Sequence, residues 1–252
     1  MKLQIKTQFI LGLIAAGWIT LVPARAETTI STGHADIFGL GYVEGELELL
    51  IHKELAGTEV ELDPASTIIR VNPGGYGARP TGTSFDFLGL SNSNLWVLPP
   101  DANVASSNNL LFAGVGTEEV DPAVWGTGLL TITLKSIDSN SPGNFFLWNE
   151  DEFGAPTLFM DSTRLTQFNS ISQGAGVHEH YNWGFTAEGT YTMVFEATGT
   201  AGLSVDDGTP QSLSSGEVTY KFQVVPEPSS GTLLLIGLVG WVAARKRVVL
   251  KE

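Results

Sequence analysis

The segment from residue 27 to residue 225 has no stretch with the 3.6-residue apolar period of a long amphipathic helix. Its apolar residues occur in short runs, and at residues 131–134 and 218–222 they alternate with polar residues as half-buried strands do. Turn-forming sequences separate these runs, such as Asn-Pro-Gly-Gly at 72–75 and Ser-Pro-Gly at 141–143. The pattern predicts an all-β fold, a single antiparallel β-sandwich.

The predicted strands cover residues 47–51, 67–71, 94–98, 129–134, 145–148, 190–195 and 218–224. Residues 103–109 are predicted to form a polar loop, and the Asp-Asp-Gly sequence at 206–208 to form a hairpin turn. The chain has no internal repeat of 20–50 residues, which disfavours a solenoid or a propeller. It also has no cysteine, so disulfides, thiol catalysis and thiolate metal sites are excluded.

The charge of the chain is strongly acidic in its middle part. Without residues 1–26 and 226–252 there remain six basic and 25 acidic side chains, hence a formal charge of −19. Such a surface repels phosphate backbones, so nucleic acid is not an expected partner. Divalent cations, or simply solubility outside the cell, are compatible with it.

The first 26 residues have the features of a secretory signal peptide. Lys2 and Lys6 precede an almost continuously apolar run at residues 9–22, and Ala-Arg-Ala at 24–26 matches the A-x-A cleavage pattern. Signal peptidase is therefore expected to cleave before Glu27. The mature domain is then predicted to span residues 27–225.

The C-terminus, residues 226–252, contains three ordered elements. Pro226, Glu227 and Pro228 precede an apolar run at residues 231–244, and a basic Arg-Lys-Arg sequence follows at 245–247. Fourteen helical residues span about 21 Å, less than the hydrocarbon core of about 30 Å, so this predicted transmembrane helix is a marginal permanent anchor. The arrangement resembles the PEP-CTERM sorting signal. That resemblance implies transient anchoring in the inner membrane, processing by an exosortase-type enzyme, and delivery to the cell surface or extracellular matrix.

Three of the four histidines occur in two short motifs that suit metal binding. His34 and Asp36 are two residues apart, and so are His178 and His180, which places each pair on one face of a strand. Three imidazoles and one carboxylate suit one divalent metal ion, Zn²⁺ first, or Mn²⁺ or Fe²⁺ if water completes the coordination. His52 is a weaker fifth candidate.

The mature chain also resembles the surface-anchored domain called choice-of-anchor M, related to the actinobacterial surface-anchored repeat domain. The resemblance is carried by ordered motifs at residues 33–36, 47–52, 87–89, 95–99, 146–148 and 178–186. It implies one extracellular domain paired with an interchangeable anchor, and a role connected with metals. It implies no catalytic residue.

Three functions remain open from the sequence. The first is a non-enzymatic surface domain that binds a divalent metal ion. The second is a structural or adhesive protein that contacts exopolysaccharide or another envelope component without a metal. The third is a metal-dependent hydrolase, which requires a general base near the ion; Glu179 is the nearest acid in the motif, but the strand alternation directs it to the opposite face.

Overall fold

The computed structural model describes residues 27–55, 57–202 and 209–226. Of these residues 57% lie in strands and 11% in helices, which confirms the all-β prediction. The strands form three sheets, and their bounds in spatial order follow. Sheet 1 comprises β1 (Thr28–Ile30), β5 (Thr67–Val71), β16 (Gln211–Val224), β15 (Gly189–Ala201), β9 (Leu130–Ile137) and β12 (Ser170–Gln173). Sheet 2 comprises β11 (Pro156–Asp161), β10 (Phe145–Glu150), β14 (Asn182–Phe185), β7 (Asn94–Leu98) and β6 (Tyr76–Ala78). Sheet 3 comprises β13 (His178–His180), β8 (Leu111–Glu119), β2 (Gly33–Val43), β3 (Glu46–Leu55) and β4 (Thr58–Leu62).

Most neighbouring strands are antiparallel, but three pairs are parallel. These are β1 with β5, β5 with β16, and β2 with β8. Parallel neighbours need crossover connections rather than hairpins. The sandwich is therefore built from mixed sheets, a refinement of the antiparallel prediction.

Aromatic side chains join the three sheets in one core. Phe38 of sheet 3 is fully buried, and its ring centroid lies 5.0 Å from that of Trp183 in sheet 2. The same ring lies 4.7 Å from Phe195 and 5.4 Å from Tyr220, both in sheet 1. Ring pairs at these separations contribute beyond their buried area. The aromatic contacts of Phe38 thus reach every layer of the fold.

The helical content is limited to short segments. Two α-helices, α1 (Ala102–Ser107) and α2 (Pro122–Trp125), each begin after an aspartate whose carboxylate accepts backbone N–H hydrogen bonds. Three 3-10 turns complete it, at Pro64–Ser66, Pro73–Gly75 and Thr83–Leu88. The predicted polar loop at 103–109 is wrong, because Asp101 caps α1 there. The predicted turn at 206–208 lies outside the described residues.

Candidate metal centre

The candidate ligands lie on three adjacent strands of sheet 3, with β8 in the middle. β2 runs parallel to β8 on one side, and β13 runs antiparallel to it on the other. Gly114 of β8 is the register partner of both Asp36 and His180, and Gly116 is the partner of His178. This register brings two distant segments of the chain to the same patch of the sheet.

Three potential ligand atoms form a small triangle. The Nε2 atoms of His34 and His178 are 3.1 Å apart. Asp36 Oδ1 lies 3.0 Å from Nε2 of His178 and 3.5 Å from Nε2 of His34. Ligands bound tetrahedrally at about 2.1 Å from one ion are about 3.4 Å apart. The triangle therefore has the dimensions of one face of a metal coordination sphere.

His180 completes the set from the third corner of the patch. It offers a nitrogen that lies within 4.8 Å of ligand atoms from His34 and His178. Its Nδ1 is 3.0 Å from the carbonyl oxygen of Ala113, so an Nδ1–H donates there and leaves Nε2 with a free lone pair. The ring also stacks on Phe112, with centroids 3.5 Å apart and planes at 11°. Both contacts orient the imidazole before any ion binds.

Glu118 is a supporting residue that the sequence motifs do not identify. Its Oε1 is 2.5 Å from Nδ1 of His178, which is the geometry of an imidazole N–H donating to a carboxylate. Nε2 of His178 is then unprotonated and faces Asp36 Oδ1. Metal-binding histidines commonly donate their second N–H to a carboxylate in this way, which fixes the tautomer and increases the basicity of the ligand.

Two glycines of β8 make room for the cluster. An added Cβ at Gly114 would overlap Asp36 Oδ1 and would lie 2.9 Å from Nε2 of His178. At Gly116 it would lie 2.7 Å from Asp36 Oδ2 and 2.5 Å from a carboxylate oxygen of Glu118. The signal in the sequence is the Gly-x-Gly alternation within β8, whose intervening residue, Val115, is fully buried in the core.

The electrostatics of the patch favour a bound cation. Burial raises the pKa of Asp36 to about 6. Burial lowers the pKa of His180 to about 4, and it also lowers the pKa of His34, with the neighbouring His178 acting in the same direction. Asp36 Oδ1 is buried and has no hydrogen bond within the described part of the chain. A buried carboxylate that faces unprotonated imidazoles lacks a positive partner.

The four predicted ligands thus meet, whereas two other residues of the histidine motifs lie elsewhere. His52 belongs to a separate cluster with Glu59 and Glu119. Glu179 pairs in register with Val115 and is exposed, away from the ligand atoms of its neighbours. Of the sorting motif, Pro226 follows β16, while Glu227 and Pro228 lie outside the described residues.

The comparisons with known proteins concern the C-terminus. Residues 224–247 match the PEP-CTERM protein-sorting motif. The PEP-CTERM motif indicates an exported protein that an exosortase-type enzyme sorts to the envelope. The prediction made from Pro226, Glu227 and Pro228 is confirmed at this level.

The rest of the chain has no counterpart in these comparisons. Neither the curated proteins nor the solved structures give a match, and the resemblance to the choice-of-anchor M domain receives no support. The predicted signal peptide at 1–26 and the apolar run at 231–244 lie outside the described residues. Within the described ranges, no helix has the length and apolar character needed to cross a bilayer.

Proposed function

We propose that this PEP-CTERM protein displays a non-enzymatic β-domain that binds one zinc ion through His34, Asp36, His178 and His180. The observation that carries the proposal is the triangle of Nε2, Nε2 and Oδ1 atoms, whose sides measure 3.0, 3.1 and 3.5 Å. These atoms are lone-pair donors to a metal. Their mutual approach is unfavourable unless protons or a cation lie between them.

The composition of the ligand set supports zinc and a closed site. Three imidazoles and one carboxylate fill four tetrahedral positions, which is typical of zinc sites without an open position for substrate. Mn²⁺ and Fe²⁺ bind such a set more weakly than Zn²⁺. Glu118 supports the ligands through His178, and Glu179 faces away, so neither acid is placed as a free general base.

The position of the patch supports reversible binding from the extracellular medium. The side chains of His34 and His178 are 27% and 30% exposed, whereas that of Asp36 is 4% exposed. An ion can therefore reach the imidazoles directly from solvent. The excess of acidic over basic residues in the domain increases the local concentration of divalent cations.

The test is the zinc stoichiometry of the protein purified from its envelope in mild detergent. The wild type is expected to bind Zn²⁺ in isothermal titration calorimetry and to retain it in elemental analysis. The double variant His178→Ala, His180→Ala should lose the tightest-binding ion. Glu179→Ala is the matched control, because this residue lies between the two ligands on the opposite face, and it should bind as the wild type does.

Two results would contradict the proposal. One is a wild type that binds no zinc above the level of the double variant. The other is loss of binding in Glu179→Ala as great as in the double variant, since the effect would then reflect disruption of β13. In either case the adhesive, metal-free alternative would account better for the exported domain.

Zinc affinity is expected to fall in mild acid. The ion binds ionised Asp36 and neutral imidazoles, and the pKa of Asp36 is raised to about 6 by burial. As the pH falls through about 6, protons compete for this carboxylate, and metal binding must release them. Calorimetric titrations at pH 7.5 and at pH 5 should therefore show weaker binding at pH 5. Equal affinity at both values would exclude Asp36 as a ligand.

A further inference from the structure

A second group of potential ligands lies on the same sheet, beside the candidate zinc site. His52 of β3 is surrounded by Glu59 of β4 and Glu119 at the end of β8. One ligand atom from each of the three residues lies within 4.8 Å of the others. His52 is the register partner of Asp36, so the two groups are adjacent but share no residue.

The imidazole of His52 is buried without a satisfied nitrogen at Nε2. The side chain is 4% exposed, and Nε2 has no hydrogen-bond partner within the described part of the chain. The ring lies where a side chain at position 39 would be, since a Cβ added to Gly39 would come within 2.6 Å of ring atoms. An unpartnered polar atom at this depth is costly and requires an explanation.

The two carboxylates approach this ring but do not hydrogen-bond to it. Nε2 lies 3.7 Å from Oε2 of Glu119, and Nδ1 lies 3.8 Å from Oε1 of Glu59. Both distances exceed those of a hydrogen bond. The carboxylate side chains are 53% and 42% exposed for Glu59 and Glu119, so each can move by a few tenths of an ångström toward an ion.

We propose that His52, Glu59 and Glu119 form a second site for a divalent transition-metal ion, independent of the first. The ion bonds to one imidazole nitrogen and to carboxylate oxygens of both glutamates, and water completes its coordination. One nitrogen and several oxygens make a harder donor set than three imidazoles, which suits Mn²⁺ as well as Zn²⁺. Two carboxylates beside a neutral imidazole supply the negative charge that the ion neutralises.

The metal-free state of this site is electrostatically unfavourable, which adds to the geometric argument. Burial raises the pKa of Glu119, and a hydrogen bond with the Glu59 carboxyl acts in the same direction. Two carboxyl groups that share a proton can exchange it for a cation. The second site therefore binds its ion with release of a proton.

Zinc stoichiometry of the full chain in detergent at pH 7.5 tests the second site separately from the first. We expect two Zn²⁺ per wild-type chain and one in the variant Glu59→Gln, Glu119→Gln, which preserves side-chain shape. Glu46→Gln, Glu48→Gln is the matched control, since it removes the same charge from exposed positions of β3 and should keep both ions. The variant His178→Ala, His180→Ala should lose one ion and keep the other.

The outcomes distinguish the two proposals. If Glu59→Gln, Glu119→Gln binds as many ions as the wild type, the second site is wrong, whatever the first site does. Equal losses in this variant and in the Glu46→Gln, Glu48→Gln control would also overturn it, because general charge would then explain the effect. If only the glutamine variant loses an ion and the histidine variant loses none, the second site stands and the proposed function fails.

Discussion

Replacement of Phe38 with alanine is expected to lower the free energy of unfolding by about 3–5 kcal/mol. The side chain is fully buried, and its ring contacts Trp183, Phe195 and Tyr220 from the other two sheets. Truncation removes apolar burial and leaves a cavity at the point where three layers meet. Since domains are typically stable by only about 5–15 kcal/mol, this is a large fraction of the total.

Chemical denaturation of the wild type and the variant, followed by tryptophan fluorescence, measures the effect. Phe153→Ala is the control, because Phe153 is 86% exposed and its truncation should change stability by less than about 0.5 kcal/mol. Equal, small effects of both substitutions would contradict the assignment of Phe38 as the residue that joins the sheets.

Saturating zinc is expected to raise the free energy of unfolding by about 2.7 kcal/mol when its free concentration is 100 times Kd. For a domain of this size that corresponds to a rise in Tm of roughly 5–10 °C. The physical reason is that the ion binds ligands from β2 and β13, which are 144 residues apart in the chain between His34 and His178. The unfolded chain cannot hold them together.

Gly114→Ala tests whether the geometry of the patch produces this stabilisation. The variant keeps every ligand, but its Cβ would overlap Asp36 Oδ1. We expect the difference in Tm between zinc and chelator to shrink to a small fraction of the wild-type value. Gly77→Ala in β6 is the matched control, because a Cβ there meets no atom within 4 Å.

A zinc-dependent rise in Gly114→Ala equal to that of the wild type would show that the ion binds elsewhere. Thermal unfolding in zinc and in chelator, monitored by circular dichroism, supplies both values for each protein. Comparison within each variant separates the metal effect from any change that the substitution makes to the metal-free fold.

Local patterns in the sequence predicted several elements well. The strands at 67–71 and 94–98 have the predicted bounds, and β9 and β16 contain their predicted runs. Alternation of apolar and polar residues is a local property, so it can be read without the fold. The sorting motif at 224–247 is equally local, because it consists of consecutive residues.

Two strands that build the candidate metal centre were not predicted by apolar alternation. β2 and β8 contain glycines where side chains would have continued the pattern, at positions 39, 41, 114 and 116. Glycine disfavours strands in isolation, and only the neighbouring strands compensate for it. α1 was missed for a related reason, since its polar residues become helical only after the Asp101 cap.

The sequence by itself determined the β-rich class, the sorting tail, and the two histidine motifs with their shared strand faces. Only the tertiary structure decided that these faces meet, because β8 lies between β2 and β13 with its glycines in register with the ligands. It also decided that Glu118 supports His178 and that His52 lies with Glu59 and Glu119 instead. Spacing along a strand fixes the face of a residue, whereas the distance between two faces depends on strand order and register, which involve residues far apart in the chain.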